Sequence, residues 1–195
     1  MSSGHPGLIN DFIEKGEPFH WSDKNLKEIE IIKSKYPEDR HQSAVMPLLY
    51  LAQNQNNNWL STECIEAVSK ALAMPKIRVA EVATFYSMFN LKPVGKNLIQ
   101  VCRTSPCMLR GSKKITDTII KETKCGINQT TDDGLFTVVE VECLGACSNG
   151  PMIQINNDFY EDLNEENTKK IIENIKENKP NKVGSQTGRV SSENA

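Results

Sequence analysis

The apolar positions of this chain change their period once, near the middle. Up to about residue 90 they recur at helical spacing. Leu26, Ile29, Ile32 and Tyr36 fall close to one face of a helix that Ser22 would cap and that stops before Pro37. Val45, Leu48, Leu49 and Ala52 mark a second helix, from about His41 to Gln55. Pro47 falls near its first turns, so the true start is expected later or kinked. The polar run from Gln53 to Asn58 reads as a loop. A third helix opens at Ser61 or Thr62, turns Ile65, Val68 and Leu72 inward, and ends at Met74-Pro75. A fourth, from about Lys76 to Phe85, carries Val79, Val82 and Ala83 and leads into the aromatic segment FYSMF. Four short helices with brief connections predict a small bundle over residues 22–91.

After the turn KPVGK, Lys92 to Lys96, the period becomes that of strands. Leu98 to Val101 predicts a strand ending on Cys102, followed by a helix from about Leu109 or Arg110 to Lys121 with Ile115 and Ile119 on one face. Phe136 to Glu142 is rich in β-branched residues and predicts a strand ending on Cys143. Met152 to Ile155 and Phe159 to Glu161 flank Asn156-Asn157-Asp158, a hairpin pattern. Asn164 caps a last helix, with Glu165 and Glu166 in its first turn and Ile171, Ile172 and Ile175 inside. Residues 92–179 thus predict an α/β domain with one right-handed crossover and a terminal hairpin. Residues 1–21 read as an irregular arm with Phe12, Ile13, Phe19 and Trp21 as apolar handles. Residues 180–195 are polar and read as a disordered tail. The fold class is α+β.

Composition removes several functions. The net charge is −2, so no global field draws nucleic acid or anionic lipid, and no basic stripe carries interleaved aromatics. The longest strongly apolar run, Val45 to Ala52, is too short to insert across a bilayer. The segment MSSGHPGLINDF has neither the charged start nor the apolar centre of a signal peptide, and its lack of Arg argues against an intact transit peptide. A reducing compartment is expected, where clustered cysteines bind metal or do redox chemistry.

Six cysteines carry the candidate chemistry. Cys64 and Cys125 stand alone and read as small buried side chains. Cys102 and Cys107, in VCRTSPCMLRG, have four residues between them; Cys143 and Cys147, in VECLGACSNGP, have three. Each pair follows a predicted strand, at the sheet edge where α/β folds build their sites. Gly111, Gly145, Ala146 and Gly150 would leave backbone N–H groups free to face sulfur, and Thr104, Ser105 and Ser148 could add hydroxyls. Arg103, Arg110, Lys113 and Lys114 form either a local positive field or a solvated helix face. Four thiolates from two loops suit a 2Fe–2S cluster or a structural zinc ion; a thiol–disulfide exchanger would ordinarily use C-x-x-C, which is absent. The fingerprints of dinucleotide and phosphate binding are missing, and His5, His20 and His41 build no catalytic or metal constellation. If the chain moves electrons, a partner supplies them.

VCRTSPCMLRG followed by VECLGACSNGPMIQIN resembles the 24-kDa flavoprotein-2 family of respiratory complex I, the NADH:quinone oxidoreductase. YPEDRHQSAVMPLLYLAQNQNNNWLS and MPKIRVAEVATFYSMFNL resemble that family's helical region. The resemblance covers about residues 20–165. It implies a thioredoxin-like domain after a helical domain, with one 2Fe–2S cluster on Cys102, Cys107, Cys143 and Cys147. It implies docking on a large flavoprotein subunit that holds NADH and FMN, beside other peripheral-arm iron–sulfur subunits. The place implied is peripheral on the inner membrane, on the bacterial cytoplasmic or mitochondrial matrix face. Related subunits of NAD-linked hydrogenases and formate dehydrogenases share the motif. One departure is the Asn-rich loop before Trp59, where relatives tend to carry Gly; a local effect only is expected.

Overall fold

A computed structural model describes residues 13–190. The chain folds as two compact units that divide between Pro93 and Val94.

The first unit is helical: α1 Asp23–Lys33, α2 Val45–Gln55, α3 Thr62–Leu72 and α4 Lys76–Phe85. Side-chain caps set two of the starts. Ser22 Oγ accepts from the Asn25 N–H at 3.2 Å, and Ser61 Oγ accepts from the Cys64 N–H at 3.2 Å. A 3-10 stretch, Glu38–Ala44, precedes α2, so the helix begins later than His41. Pro47 is then its third residue, where a helix needs no N–H of its own. Leu48, Leu49, Ile65, Val68, Val79 and Phe89 fill the core. Ile13, Phe19 and Trp21 pack against it, so the arm is attached through its apolar handles; Phe12 lies outside the described residues.

Two sequence expectations are corrected here. Leu26 does not share the buried face of Ile29 and Ile32; it is 49% exposed and lines a groove of about 580 Å³ with Phe19 and Trp21. Gln53 does not begin a loop. It sits inside α2, buried, donating from Nε2 to the Met88 carbonyl at 3.1 Å and accepting from the Asn90 N–H at 2.8 Å. A buried amide with both ends paired is stable where polarity alone would predict solvent.

The second unit is built on β1 Asn97–Cys102, β2 Gln129–Thr130, β3 Phe136–Val141, β4 Ile153–Ile155, β5 Asp158–Glu161 and β6 Gly184–Ser185. They form one mixed sheet in the order β2-β3-β1-β4-β5-β6. β1 and β3 are parallel, with Asn97 opposite Phe136 and Cys102 opposite Val141. β4 pairs antiparallel with β1 and continues as the expected hairpin into β5. Three helices complete the unit: α5 Ser105–Leu109, α6 Ser112–Thr123 and α7 Glu165–Lys176. Ile115 and Ile119 of α6 share a core with Ile171 and Ile172 of α7 and with Ile99, Val101, Phe136, Val138 and Ile153 of the sheet. Asn164 and Asn167 cap each other at the start of α7.

The expected helix from Leu109 or Arg110 starts slightly later, as α6, and an unexpected short helix, α5, precedes it. α5 ends at Leu109, and Gly111, at φ +99°, turns the chain before α6 starts at Ser112. The tail is also corrected. β6 pairs in parallel with β5, Tyr160 opposite Gly184 and Glu161 opposite Ser185, so residues 184–189 are part of the fold. Its polar composition hid a pairing that uses backbone groups and one ion pair rather than apolar burial.

Candidate metal centre

The parallel pairing of β1 and β3 decides where the cysteine loops go. Both strands run out at the same sheet edge, with Cys102 opposite Val141, so the segments that follow leave side by side. Cys102 is the last residue of β1 and Cys107 lies within α5; both are buried. Two thiols of the first pair are thus held by regular structure, not by a free loop as their spacing suggested. Cys143 follows β3 by two residues and is exposed, and Cys147 opens a single 3-10 turn, Cys147–Asn149, half-buried.

Within the second pair the sulfurs stand 3.6 Å apart. The Gly145 N–H donates to Cys143 Sγ at 3.4 Å, and Gly145 sits at φ +87°, a conformation that suits glycine. Within the first pair, Cys102 Sγ lies 3.3 Å from Thr104 Oγ1, and Cys102 and Cys107 are buried in one cluster. The pairs meet across the two segments. Leu144 and Ala146, which flank Gly145 between the second pair of cysteines, pack against Cys102 and Cys107. Cys102, Cys107 and Met152 form a small enclosed cluster with Leu144, Ala146 and Phe159 against it.

The thiols feel one another. Burial works to raise Cys102, but the Thr104 hydroxyl and the N–H groups of Leu144 and Thr104 outweigh it and hold the thiol below its ordinary range. Burial, then the neighbouring Cys102, pushes Cys107 up to about 12. Cys147 is raised by its hydrogen bond with Cys143, by burial, and by the charges of Cys143 and Cys102. Sulfurs crowded in this way resist becoming anions together unless positive charge joins them.

The donor set fits a cluster with two metal atoms. The four thiols come as two pairs, Cys102 with Cys107 in one buried cluster and Cys143 with Cys147, whose sulfurs stand 3.6 Å apart. Two such pairs, with the Gly145 N–H directed at the Cys143 sulfur, are a donor set that would suit a 2Fe–2S cluster. The positive field read from the sequence is weaker than expected, since Arg103 faces Glu142 at 3.6 Å and Glu140 at 4.0 Å and Lys113 faces Asp117 at 3.2 Å. Cys64 and Cys125 sit in separate cores as expected, and burial is the first cause that raises both.

The profile of the family described as thioredoxin-like 2Fe–2S ferredoxin matches residues 29–176. An NADH-quinone oxidoreductase subunit of Rickettsia typhi is 54% identical over 155 residues, 80% of this chain and 91% of its own. The chain belongs to the flavoprotein-2 family of thioredoxin-like 2Fe–2S ferredoxins. The resemblance read from the two cysteine segments is borne out. Among the chain's relatives is the mitochondrial NADH dehydrogenase (ubiquinone) flavoprotein 2 of Dictyostelium discoideum, 47% identical over 176 residues, 90% of this chain and 71% of that one. An NAD+-reducing NiFe hydrogenase in the H2-reduced state superposes with a TM-score of 0.59 over 69% of this chain at 22% identity. That likeness shows the fold alone, and it covers 23% of the hydrogenase chain.

The sequence reading missed Met152 as a wall of the Cys102–Cys107 cluster, because an apolar residue in a strand-like run gives no signal of which side chains it packs on. It also missed Asp162 and Arg189, which lie 27 residues apart and meet beside the Cys147 turn.

Proposed function

We propose that Cys102, Cys107, Cys143 and Cys147 hold one 2Fe–2S cluster and that the chain is a one-electron carrier in the NADH dehydrogenase part of respiratory complex I. The observation that supports the reading is the parallel register of β1 on β3, Cys102 opposite Val141, with Leu144 and Ala146 of the second segment packed against Cys102 and Cys107 of the first. A bound 2Fe–2S cluster takes up and returns a single electron. The chain's own part is to hold four sulfurs, offset their negative charge with N–H and hydroxyl donors, and keep Cys102 and Cys107 from water while Cys143 stays exposed.

The electrons come from outside the chain. We infer that it docks on the large flavoprotein subunit that binds NADH and FMN, among the other iron–sulfur subunits of the peripheral arm. The identity with flavoprotein 2 and NADH-quinone oxidoreductase relatives supports complex I over a hydrogenase or formate dehydrogenase. The helical unit offers exposed apolar side chains for docking, Phe85 at 77% and Ile77 at 66%. Phe85→Asp together with Ile77→Asp in the full chain is expected to weaken capture of the flavoprotein subunit; unchanged capture removes this surface. No helix among the described residues is long and apolar enough to cross a membrane, and the chain is read as peripheral on the inner membrane, on the cytoplasmic or matrix face.

The deciding experiment is composition and colour. Anaerobically reconstituted full-length chain is expected to be brown, with iron and acid-labile sulfide in equal amounts. A colourless chain with one zinc would replace the electron carrier by a structural zinc module.

A further inference from the structure

The segment that follows α7 returns to the turn that carries Cys147, and Arg189 makes the connection. Its Nε donates to Asp162 Oδ2 at 3.2 Å, and its Nη2 donates to Asp162 Oδ1, so the pair is two-pronged. The same Nη2 donates to the Ser148 carbonyl at 3.0 Å. Ser148 directly follows Cys147 inside the 3-10 turn. The ion pair is nearly enclosed, the Arg189 side chain 12% and the Asp162 side chain 6% exposed.

Further bonds fix the same point from both sides. Ser185 Oγ donates to Asp162 Oδ2 at 2.6 Å and Thr187 Oγ1 donates to it at 3.3 Å. The Arg189 N–H donates to Ser185 Oγ at 3.1 Å. From the end of β5, the Asp162 N–H donates to the Asn149 carbonyl at 2.7 Å, and Asn149 Nδ2 donates to Glu161 Oε2 at 2.7 Å. The turn after Cys147 is therefore gripped at consecutive residues, Ser148 and Asn149.

An enclosed ion pair gains little over well-packed apolar groups of the same shape, because desolvating two charges cancels most of their attraction, but removing one partner strands the other charge. A guanidinium can hold a carboxylate and a carbonyl together through a rigid fork, which an ammonium cannot reproduce. We propose that Arg189 is a positioning residue for the sulfur turn: through Asp162 and the Ser148 carbonyl it sets the backbone that aims the Cys147 sulfur. The inference rests on the reading of Cys147 as a cluster ligand. Arg189 acts through the turn, so its removal alters how firmly the cluster is held and how its surroundings are arranged.

The test uses the full chain, reconstituted, as wild type, Arg189→Ala, Arg189→Lys, Cys147→Ser and Ile172→Val. Three things are measured: bleaching of the visible absorbance as a ferrous chelator takes the iron, the EPR spectrum of the reduced protein, and the thermal midpoint. Arg189→Ala is expected to release iron about ten- to a hundredfold faster and to change the EPR line shape, as loss of a partner behind a metal ligand does. Arg189→Lys keeps the charge facing Asp162 and most of the thermal midpoint, yet releases iron faster than wild type. Should Arg189→Ala not accumulate, the lysine variant carries the same comparison. Ile172→Val trims the core beneath α7 and is expected to lower the midpoint while leaving release and spectrum alone. A wild-type chain without a cluster, or Cys147→Ser with the wild-type spectrum, overturns the ligand reading and this proposal together. Sound behaviour of those two with an inert Arg189→Ala overturns the positioning role alone. So does an Ile172→Val variant that speeds release to the same degree, and wild-type release from Arg189→Lys removes the Ser148 bond from the account.

Discussion

A Cβ built on Gly150 stands 3.1 Å from the sulfur of Cys107. Gly150 itself has φ −69°, which any residue adopts, so contact with the sulfur is what favours glycine there. Gly150→Ala is therefore expected to displace the Cys107 thiol by a few tenths of an ångström. Overpacking of this kind costs about 1–3 kcal/mol. Thermal unfolding should report the loss, and the iron bound after reconstitution should fall; an alanine variant with wild-type values of both would show that the sulfur moves aside freely.

The six cysteines should divide into two classes. Cys143→Ser is expected to lose the cluster or shift its reduced-state EPR signal, because an alkoxide or hydroxyl replaces a thiolate ligand. Cys64→Ala and Cys125→Ala should keep the iron content and the spectrum, at a cost of about 1 kcal/mol of stability from lost packing. An unchanged EPR signal in Cys143→Ser would strike that residue from the ligand set.

Acid should loosen the segment around Arg189. Burial alone would raise the Asp162 carboxyl, but the Arg189 guanidinium and the Ser185 and Thr187 hydroxyls outweigh it and hold the group below its ordinary 3.8. A carboxyl depressed on folding contributes stability that is complete above the unfolded value and is lost as pH falls through the folded one. The thermal midpoint of wild type should thus exceed that of Asp162→Asn near neutrality, and the two should converge below pH 3.8. A gap that stays constant into acid would mean that the carboxylate charge adds nothing.

The turn before Trp59 should favour its asparagines. Asn57 and Asn58 have φ of +53° and +66°, in the left-handed region where a Cβ is costly and Asn or Gly is tolerated. Asn58→Ala is expected to cost about 1 kcal/mol, while Asn58→Gly should stay within about 0.5 kcal/mol of wild type. Denaturant unfolding distinguishes the two, and equal effects would assign the cost to the lost side-chain amide rather than to the backbone.

Local signals made much of this fold readable. Ser22 and Ser61 announce α1 and α3 because a capping hydroxyl must be close in sequence to the N–H it accepts from. Cys102 and Cys143 could be placed at strand ends because each follows a β-branched run, and parallel neighbours then bring the ends together. The features that escaped are those whose partners are remote. Gln53 looks like a loop residue until Met88 and Asn90 satisfy its amide. Leu26 fits the helical period and is still left to solvent, because period gives a face and not what covers it. Ser105 to Leu109 contains a proline in its first turn and only five residues, too few for a periodic signal. Arg189 is one basic residue in a polar stretch until Asp162 and Ser148 stand beside it.

The parallel register of β1 on β3 orders events in time. Thirty-five residues lie between Cys107 and Cys143, and they include α6 and all of β3. A chain emerging from its N-terminal side presents Cys102 and Cys107 as an orphan couple until the six matched positions from Asn97 on Phe136 to Cys102 on Val141 have closed. Any inorganic group that requires four sulfurs can be captured only after that closure. Uptake of iron by this chain would then be a signal of finished assembly, and a defect in the crossover would surface in the cell as a failure of cofactor maturation before it was recognised as a failure to fold.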